Sequence, residues 1–178
     1  QNNTFANNSQ EAILSSNKLP DFSNNSGSEN GVNAIVLDTV QTQANSTTTL
    51  SVNSLPFILD GYSTVVSSST LVIASPNQLK AKNTGRLKAN GRLIIQGTNS
   101  NDIVFTSING ANPAKGDWYG LWIENGYLKM NGATIKYAGE NVFGGASAGL
   151  VLENSTAIIE NSAFENNKNS AIYMSGSN

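Results

Sequence analysis

Short apolar runs, three or four residues each, punctuate this chain against a background of Asn, Ser, Gly and Thr. They are Ala34-Ile35-Val36-Leu37, Phe57-Ile58-Leu59, Leu71-Val72-Ile73, Leu93-Ile94-Ile95, Ile103-Val104-Phe105, Leu121-Trp122-Ile123, Leu150-Val151-Leu152, Ala157-Ile158-Ile159 and Ala171-Ile172-Tyr173. Most are flanked closely by Gly, Asn, Ser or Pro, which is how strands are bounded. No stretch carries a sustained stripe of helical period.

The runs recur at a fixed distance. The steps from Ile13 to Ile35, Leu71 to Leu93, Leu128 to Leu150 and Leu150 to Ile172 are equal, a period of about 22 residues that marks a solenoid. Two or three apolar clusters fall in each interval, as in Leu71-Val72-Ile73, Leu79-Lys80-Ala81 and Leu87-Lys88-Ala89 before Leu93. Three short strands in one such interval make one coil of a parallel β-helix with three faces and three turns. A sandwich would also place strands roughly 8–12 residues apart. It would not make clusters one coil apart look alike.

Strand geometry says what each position does. Alternate side chains enter the narrow core, so Leu71 and Ile73 are expected inside and Val72 outside. Each buried aliphatic side chain contributes about 1.5–3 kcal/mol. Asn and Gly suit the corners because they tolerate positive φ, and stacked Asn side chains can form ladders. The units Phe5/Asn7-Asn8, Phe22/Asn24-Asn25 and Phe164/Asn166-Asn167 fit one recurrent corner, with the aromatic inward and two Asn at the bend. About eight coils fit the 178 residues. Three stretches interrupt the pattern: the Thr-rich Thr39–Val52, the loop Asn109–Asp117 and the Gly-rich Gly139–Ala148. Loops leaving a solenoid are where function is commonly grafted.

The two ends also resemble each other. Phe5 matches Phe164 and Ile13 matches Ile172 at one and the same offset. That likeness fits either a little more than one unit of a tandem array or the general similarity of coils. The whole chain, residues 1–178, is expected to be a single β-helix segment excised from a longer repetitive surface protein.

Composition narrows the chemistry. Charged residues make up 12% of the chain, about half the usual quarter, and the net charge is −2. Neither Cys nor His occurs, which removes thiol catalysis, disulfides, Cys/His zinc sites and an imidazole acid–base. No apolar run approaches the roughly 20 residues of a membrane-spanning helix. Asp38, Asp60, Asp102 and Asp117 stand apart, without an Asp-Asp or Asn-Thr-Asp motif, and turn capping is the expected role of Asp102 and Asp117. No calcium-loop spacing is present, so no metal or cofactor is expected.

Two groups remain as candidates. Lys80, Lys82, Arg86, Lys88 and Arg92 gather half of the ten basic residues into one short stretch, and no acid lies between Asp60 and Asp102. They are either a docking strip for an anionic glycan or a solvated face that blunts strand edges. Trp118, Tyr119, Trp122, Tyr127 and Tyr137 concentrate aromatics. Alternation turns Trp122 outward, as a sugar-stacking platform or as a ring covered by the nearby loop, whereas Trp118 reads as structural. With a pI near 5.0 and no recognition motif, nucleic acid is not an expected partner.

The runs Ser69-Thr-Leu-Val-Ile-Ala, Gly85-Arg-Leu-Lys-Ala-Asn-Gly-Arg-Leu-Ile-Ile-Gln-Gly-Thr, Asn101-Asp-Ile-Val-Phe-Thr-Ser and Gly116-Asp-Trp-Tyr-Gly-Leu resemble bacterial right-handed parallel β-helix repeat proteins of the cell surface. Ala74-Ser-Pro-Asn departs from the Pro-Gly pair common at that turn in the family. The resemblance implies an extracellular or cell-surface location and a non-catalytic, adhesin-like role in display or carbohydrate binding. The expected binding residues are Tyr119, Trp122, Lys80, Arg86, Lys88 and Arg92, with no catalytic set. Pectate lyases, polygalacturonases and phage tailspikes share the architecture, so a polysaccharide lyase or glycoside hydrolase of the pectin-lyase-like fold is the alternative. Glycans or host and cell-surface polysaccharides are the expected partners.

Overall fold

A computed structural model describes residues 1–140 and 147–178. Among these the chain forms nineteen strands and no helix. In chain order the strands begin with β1 (Thr4–Ala6), β2 (Glu11–Lys18), β3 (Ser26–Ser28), β4 (Val32–Gln41) and β5 (Thr47–Leu50). Next come β6 (Phe57–Asp60), β7 (Tyr62–Val65), β8 (Thr70–Ala74), β9 (Asn77–Ala81) and β10 (Arg86–Ala89). They continue with β11 (Arg92–Gln96), β12 (Ile103–Ser107), β13 (Gly120–Glu124), β14 (Tyr127–Asn131) and β15 (Ala133–Lys136). The last are β16 (Ala148–Glu153), β17 (Thr156–Glu160), β18 (Ala163–Glu165) and β19 (Ser170–Ser175).

The strand pairings are parallel, and apart from the small β1-β3 pair they sort the strands into three ladders. The first runs β4-β6-β9-β12-β15-β18 and the second β4-β7-β10-β13-β16-β19. The third runs β5-β8-β11-β14-β17. From β6 onward the chain visits first, second and third ladder in strict rotation. Strand β4 belongs to two ladders. Its Ile35–Asp38 half pairs with β6, and its Gln41 pairs with Thr64 of β7. Strand β2 pairs along the whole of it.

The alternation expected from the sequence is visible in the core. Leu71 and Ile73 are buried and Val72 is half-buried. Inward residues stack rung on rung, as in the column Ile13, Ile35, Phe57, Leu79, Phe105, Ile135 and Phe164 of the first ladder. The result is one continuous apolar spine. Burial of each aliphatic side chain in it contributes about 1.5–3 kcal/mol.

Several expectations change. Ile13 and Ile35, Leu71 and Leu93, and Leu150 and Ile172 are register partners, as their equal spacing predicts. Leu128 and Leu150 are not, since Leu128 pairs with Leu93 and Ala157 while Leu150 pairs with Leu121 and Ile172. Register partners stand much further apart in the chain where Arg86 meets Gly120 and Arg92 meets Tyr127. The extra chain lies in the corners, chiefly 97–102 and 108–119, and not in the strands. The first ladder with β2 therefore has seven rungs where a strict period fits about eight coils. Thr39–Val52 contains a strand, β5, whose inward residues are Thr48 and Leu50, and too few apolar positions mark it. The 139–148 stretch falls partly on 141–146, outside the described residues, and Ala148 already opens β16.

The Asn corners are real but are not one corner. Asn7, Asn24 and Asn166 all have positive φ, near 52° to 58°. The Asn after each takes part in a stacked hydrogen bond. Asn8 donates its backbone N–H to Asn30 Oδ1, Asn25 donates likewise to Asn53 Oδ1, and Asn167 Oδ1 accepts from Ala138 N. However, Phe5 belongs to the separate β1-β3 pair, Phe22 bridges to Leu50 of the third ladder, and Phe164 lies in β18 of the first. The end-to-end likeness also crosses ladders, because Ile13 pairs with Ile35 in the first and Ile172 with Leu150 in the second. At the turn Ala74-Ser75-Pro76-Asn77, the Ser75–Pro76 peptide is cis and Asn77 Nδ2 donates to Ala74 O at 2.7 Å.

Candidate functional site

The second ladder carries aromatic and charged side chains on its outer face. In β10 the inward residues are Leu87 and Ala89, which leaves Arg86 and Lys88 facing out. Register sets Arg86 between Tyr62 and Gly120, and Lys88 between Thr64 and Trp122. Gly120 has no side chain to meet Arg86, so the guanidinium leans on rings: 3.9 Å from the Tyr62 centroid and 5.2 Å from that of Trp122. Lys88 Nζ lies 4.6 Å from the Trp122 ring. Tyr119, just before β13, stacks on Tyr62 with centroids 6.4 Å apart and planes 10° from parallel. Cation–π contacts of this kind contribute about 0.5–2 kcal/mol each.

Two carboxylates border the rings. Glu124 and Glu153 are direct register partners, a like-charge pairing that costs free energy unless it is compensated. Lys88 Nζ sits 2.6 Å from Glu124 Oε2, Asn90 Nδ2 donates to the same oxygen at 3.0 Å, and Trp122 Nε1 donates to Glu153 Oε2 at 3.2 Å. The Lys88 hydrogen bond, with that of Asn90 behind it, holds the Glu124 carboxyl below the usual glutamate range against the cost of burial. Burial lowers the Arg86 pKa, and the neighbouring phenol and carboxylate groups oppose that shift. Arg86 stays charged, because guanidinium keeps its proton in proteins.

Of the six residues expected to bind, four meet on this face: Arg86, Lys88, Tyr119 and Trp122. Lys80 lies in β9 on the first ladder. Arg92 lies in β11 on the third, with its guanidinium 4.3 Å from the Tyr127 ring centroid. The sequence cluster is split because it runs through three successive strands, each on a different face. The basic strip is also partly neutralised, since Lys82 pairs with Asp60 at 2.5 Å. Tyr62, Glu124 and Glu153 escaped sequence reasoning. Tyr62 could have been found by stepping back one coil from Arg86 to the preceding rung.

The isolated acids cap turns. Asp102 Oδ2 accepts from Thr98 N and Thr98 Oγ1, both at 2.8 Å, and from Asn99 N at 3.1 Å. Asp117 Oδ2 accepts from Ser107 Oγ at 2.6 Å, Ala114 N at 3.0 Å and Asn109 Nδ2 at 3.2 Å, tying the loop closed. Burial raises the Asp117 pKa, but these three hydrogen bonds outweigh it and leave the carboxyl below its ordinary 3.8. A depressed folded pKa adds stability above the unfolded value, and the gain is lost as pH falls through the folded one. Asp117→Asn should therefore cost about 1 kcal/mol near neutral pH. In urea melts the difference from the native protein should shrink progressively on acidification below about pH 4. A pH-independent difference would remove the carboxylate from this role.

Trp118 is fully buried, and its Nε1 donates to Lys136 O at 2.9 Å. It is a core residue, as its position beside the loop suggested. Among the described residues no group of three or more Asp or Glu side chains could hold a metal ion. Among the described residues no helix is long and apolar enough to cross a membrane. No family model, no curated protein and no solved structure matches the chain.

Proposed function

We propose that this chain is a right-handed parallel β-helix on a coil of about 22 residues, lengthened at its corners. In this reading it acts as a non-catalytic, carbohydrate-binding display module of a secreted or cell-surface bacterial protein. The strict rotation of strands through three parallel ladders supports the helical winding. Right-handed connection is the rule for parallel strands, about 98% of cases. The observation that carries the binding reading is the gathering of Tyr62, Tyr119 and Trp122 with Arg86, Lys88, Glu124 and Glu153 on one outer face. Flat rings beside carboxylate and ammonium groups offer a sugar both a stacking surface and acceptors and donors for its hydroxyls.

The charges on this face cancel, two cations against two carboxylates. An uncharged hexose fits it better than the anionic glycan expected from the sequence. The non-catalytic reading draws support from the acids. Asp102 and Asp117 cap turns, Asp60 pairs with Lys82, and Glu124 pairs with Lys88. Glu124 and Glu153, the two carboxylates that do lie side by side, are both engaged, Glu124 by Lys88 and Asn90 and Glu153 by Trp122 Nε1, and so are not free to serve as the acid and base that hydrolysis requires.

The test is a panel of immobilised neutral and uronic-acid oligosaccharides, read for binding and, respectively, for new reducing ends and for unsaturated products. Binding without product is expected. Trp122→Ala should weaken it about tenfold or more, since about 1.4 kcal/mol of lost stacking is a factor of ten. Release of product, or equal binding by the variant, overturns the reading.

A further inference from the structure

The first ladder carries a separate feature on its outer face. Register sets Lys80 beside Thr106, and one step beyond the Phe105–Ile135 pair sets Lys136 on the other side of Thr106. Strands in a ladder lie about 4.8 Å apart, so the two lysines flank a short side chain at about twice that spacing. The slot between them is open at the strand surface and walled by the loop. Residues 108–119 cross this face. Ile108 packs against the cluster of Ala34, Val36 and Ile58, and Gly116 N and Asp117 N donate to Tyr137 O at 3.1 and 2.9 Å. The cleft has a volume of about 250 Å³, with Lys80, Thr106, Pro113, Lys136 and Tyr137 among its walls. That is below the roughly 300–1,000 Å³ of sites for whole drug-sized ligands, and it suits one functional group.

Three observations give the cleft its chemistry. First, Lys80 and Lys136 are half-buried, and neither ammonium group has an ion pair or hydrogen bond among the described residues, in contrast to Lys82, Lys88 and Lys168. Second, no nearby acid is paired with either lysine among the described residues. Asp117 is held by Ser107, Asn109 and Ala114, and Glu165, the register neighbour of Lys136, forms no ion pair with it. Third, Tyr137 has a φ of 62°, which is uncommon for a bulky side chain and characteristic of residues held in place by their surroundings at functional sites. The contacts of its carbonyl with Gly116 and Asp117 hold it there.

We propose that this cleft binds a single oxyanion group, a carboxylate, sulfate or phosphate, between the Lys80 and Lys136 ammonium groups, with the Thr106 hydroxyl as a further donor. The site is independent of the aromatic face and would accept an acidic substituent that the charge-balanced second ladder does not favour. The loop wall and the small volume limit it to a single substituent group.

The experiment is an amide chemical-shift titration of the intact chain with sodium sulfate, sodium phosphate and methyl glucuronide, each against sodium chloride at matched ionic strength. Saturable shifts at Thr106, Gly110 and Tyr137 are expected with at least one probe, and the tightest identifies the source of the group. Lys80→Gln and Lys136→Gln should each weaken that binding about tenfold, and the corresponding Arg substitutions should restore most of it. Trp122→Ala should leave it unchanged, so the glycan reading and this one can fail separately. Shifts that never saturate, shifts reproduced by chloride, or a Lys80→Gln/Lys136→Gln protein of native far-UV spectrum that titrates like the parent would each overturn the proposal.

Discussion

Trp118→Ala is expected to lower the free energy of unfolding by about 3–5 kcal/mol, the range for truncating a large buried aromatic. The indole is fully buried at the point where the long loop rejoins the ladder. It also carries polar obligations. Its Nε1 donates to Lys136 O at 2.9 Å, its backbone bridges to Ala138, and its carbonyl accepts from Glu140 N at 3.0 Å. Trp118→Phe keeps most of the bulk and loses the N–H, so it should cost about 1–2 kcal/mol beyond the small volume change. Urea denaturation followed by far-UV dichroism measures both. A loss below about 1 kcal/mol for the alanine variant would mean that the cavity collapses freely and that the residue does not anchor the loop.

Gly132→Ala should be comparably severe for a different reason. A Cβ at residue 132 would lie 2.3 Å from Gly97 C and 2.3 Å from Thr98 N, and the backbone there has a φ of 63°. Gly97 meets it from the neighbouring rung, where an added Cβ would lie 2.2 Å from Gly132 O. Asn131 fixes the contact, since its carbonyl accepts from Gly97 N and its Nδ2 donates to Gly97 O, both at 2.8 Å. Two corners therefore touch backbone to backbone. Left-handed φ costs a non-glycine residue about 1–2 kcal/mol, and forced overpacking adds about 1–3 kcal/mol. Gly110→Ala is the control, because a Cβ there meets nothing within 4 Å and should change stability by less than about 0.5 kcal/mol. If the two variants melt alike, the close approach carries no energetic weight.

The apolar runs were the legible part of the fold. Each became a strand, because period-two burial needs only two or three aliphatic residues per rung to declare itself. Strands such as β5, with Thr47-Thr48-Thr49 before a single Leu50, were hidden because a narrow core can also accept a hydroxyl side chain. The positive-φ Asn corners were legible too, since few residues other than Gly and Asn tolerate that backbone. Which corner an Asn pair served was not, because all three corners pose the same steric demand. For the candidate site, sequence proximity misled where ladder register would have guided. Lys80, Lys88 and Arg92 are close in the chain yet face three directions, while Tyr62 and Trp122 are far apart in the chain and share Arg86.

The unequal circuits have a consequence for how such a molecule can change. The path from Arg86 round to Gly120 takes in the whole 108–119 loop and is distinctly longer than the path from Tyr62 to Arg86, yet the same ladder accepts both. Closing a longer excursion costs little, about 0.6 kcal/mol for each doubling of its length. The stack thus works as a mounting rail: new segments can be spliced at an open bend such as the one around Gly110, outside the shared spine, but not where two bends touch as at Gly97 and Gly132.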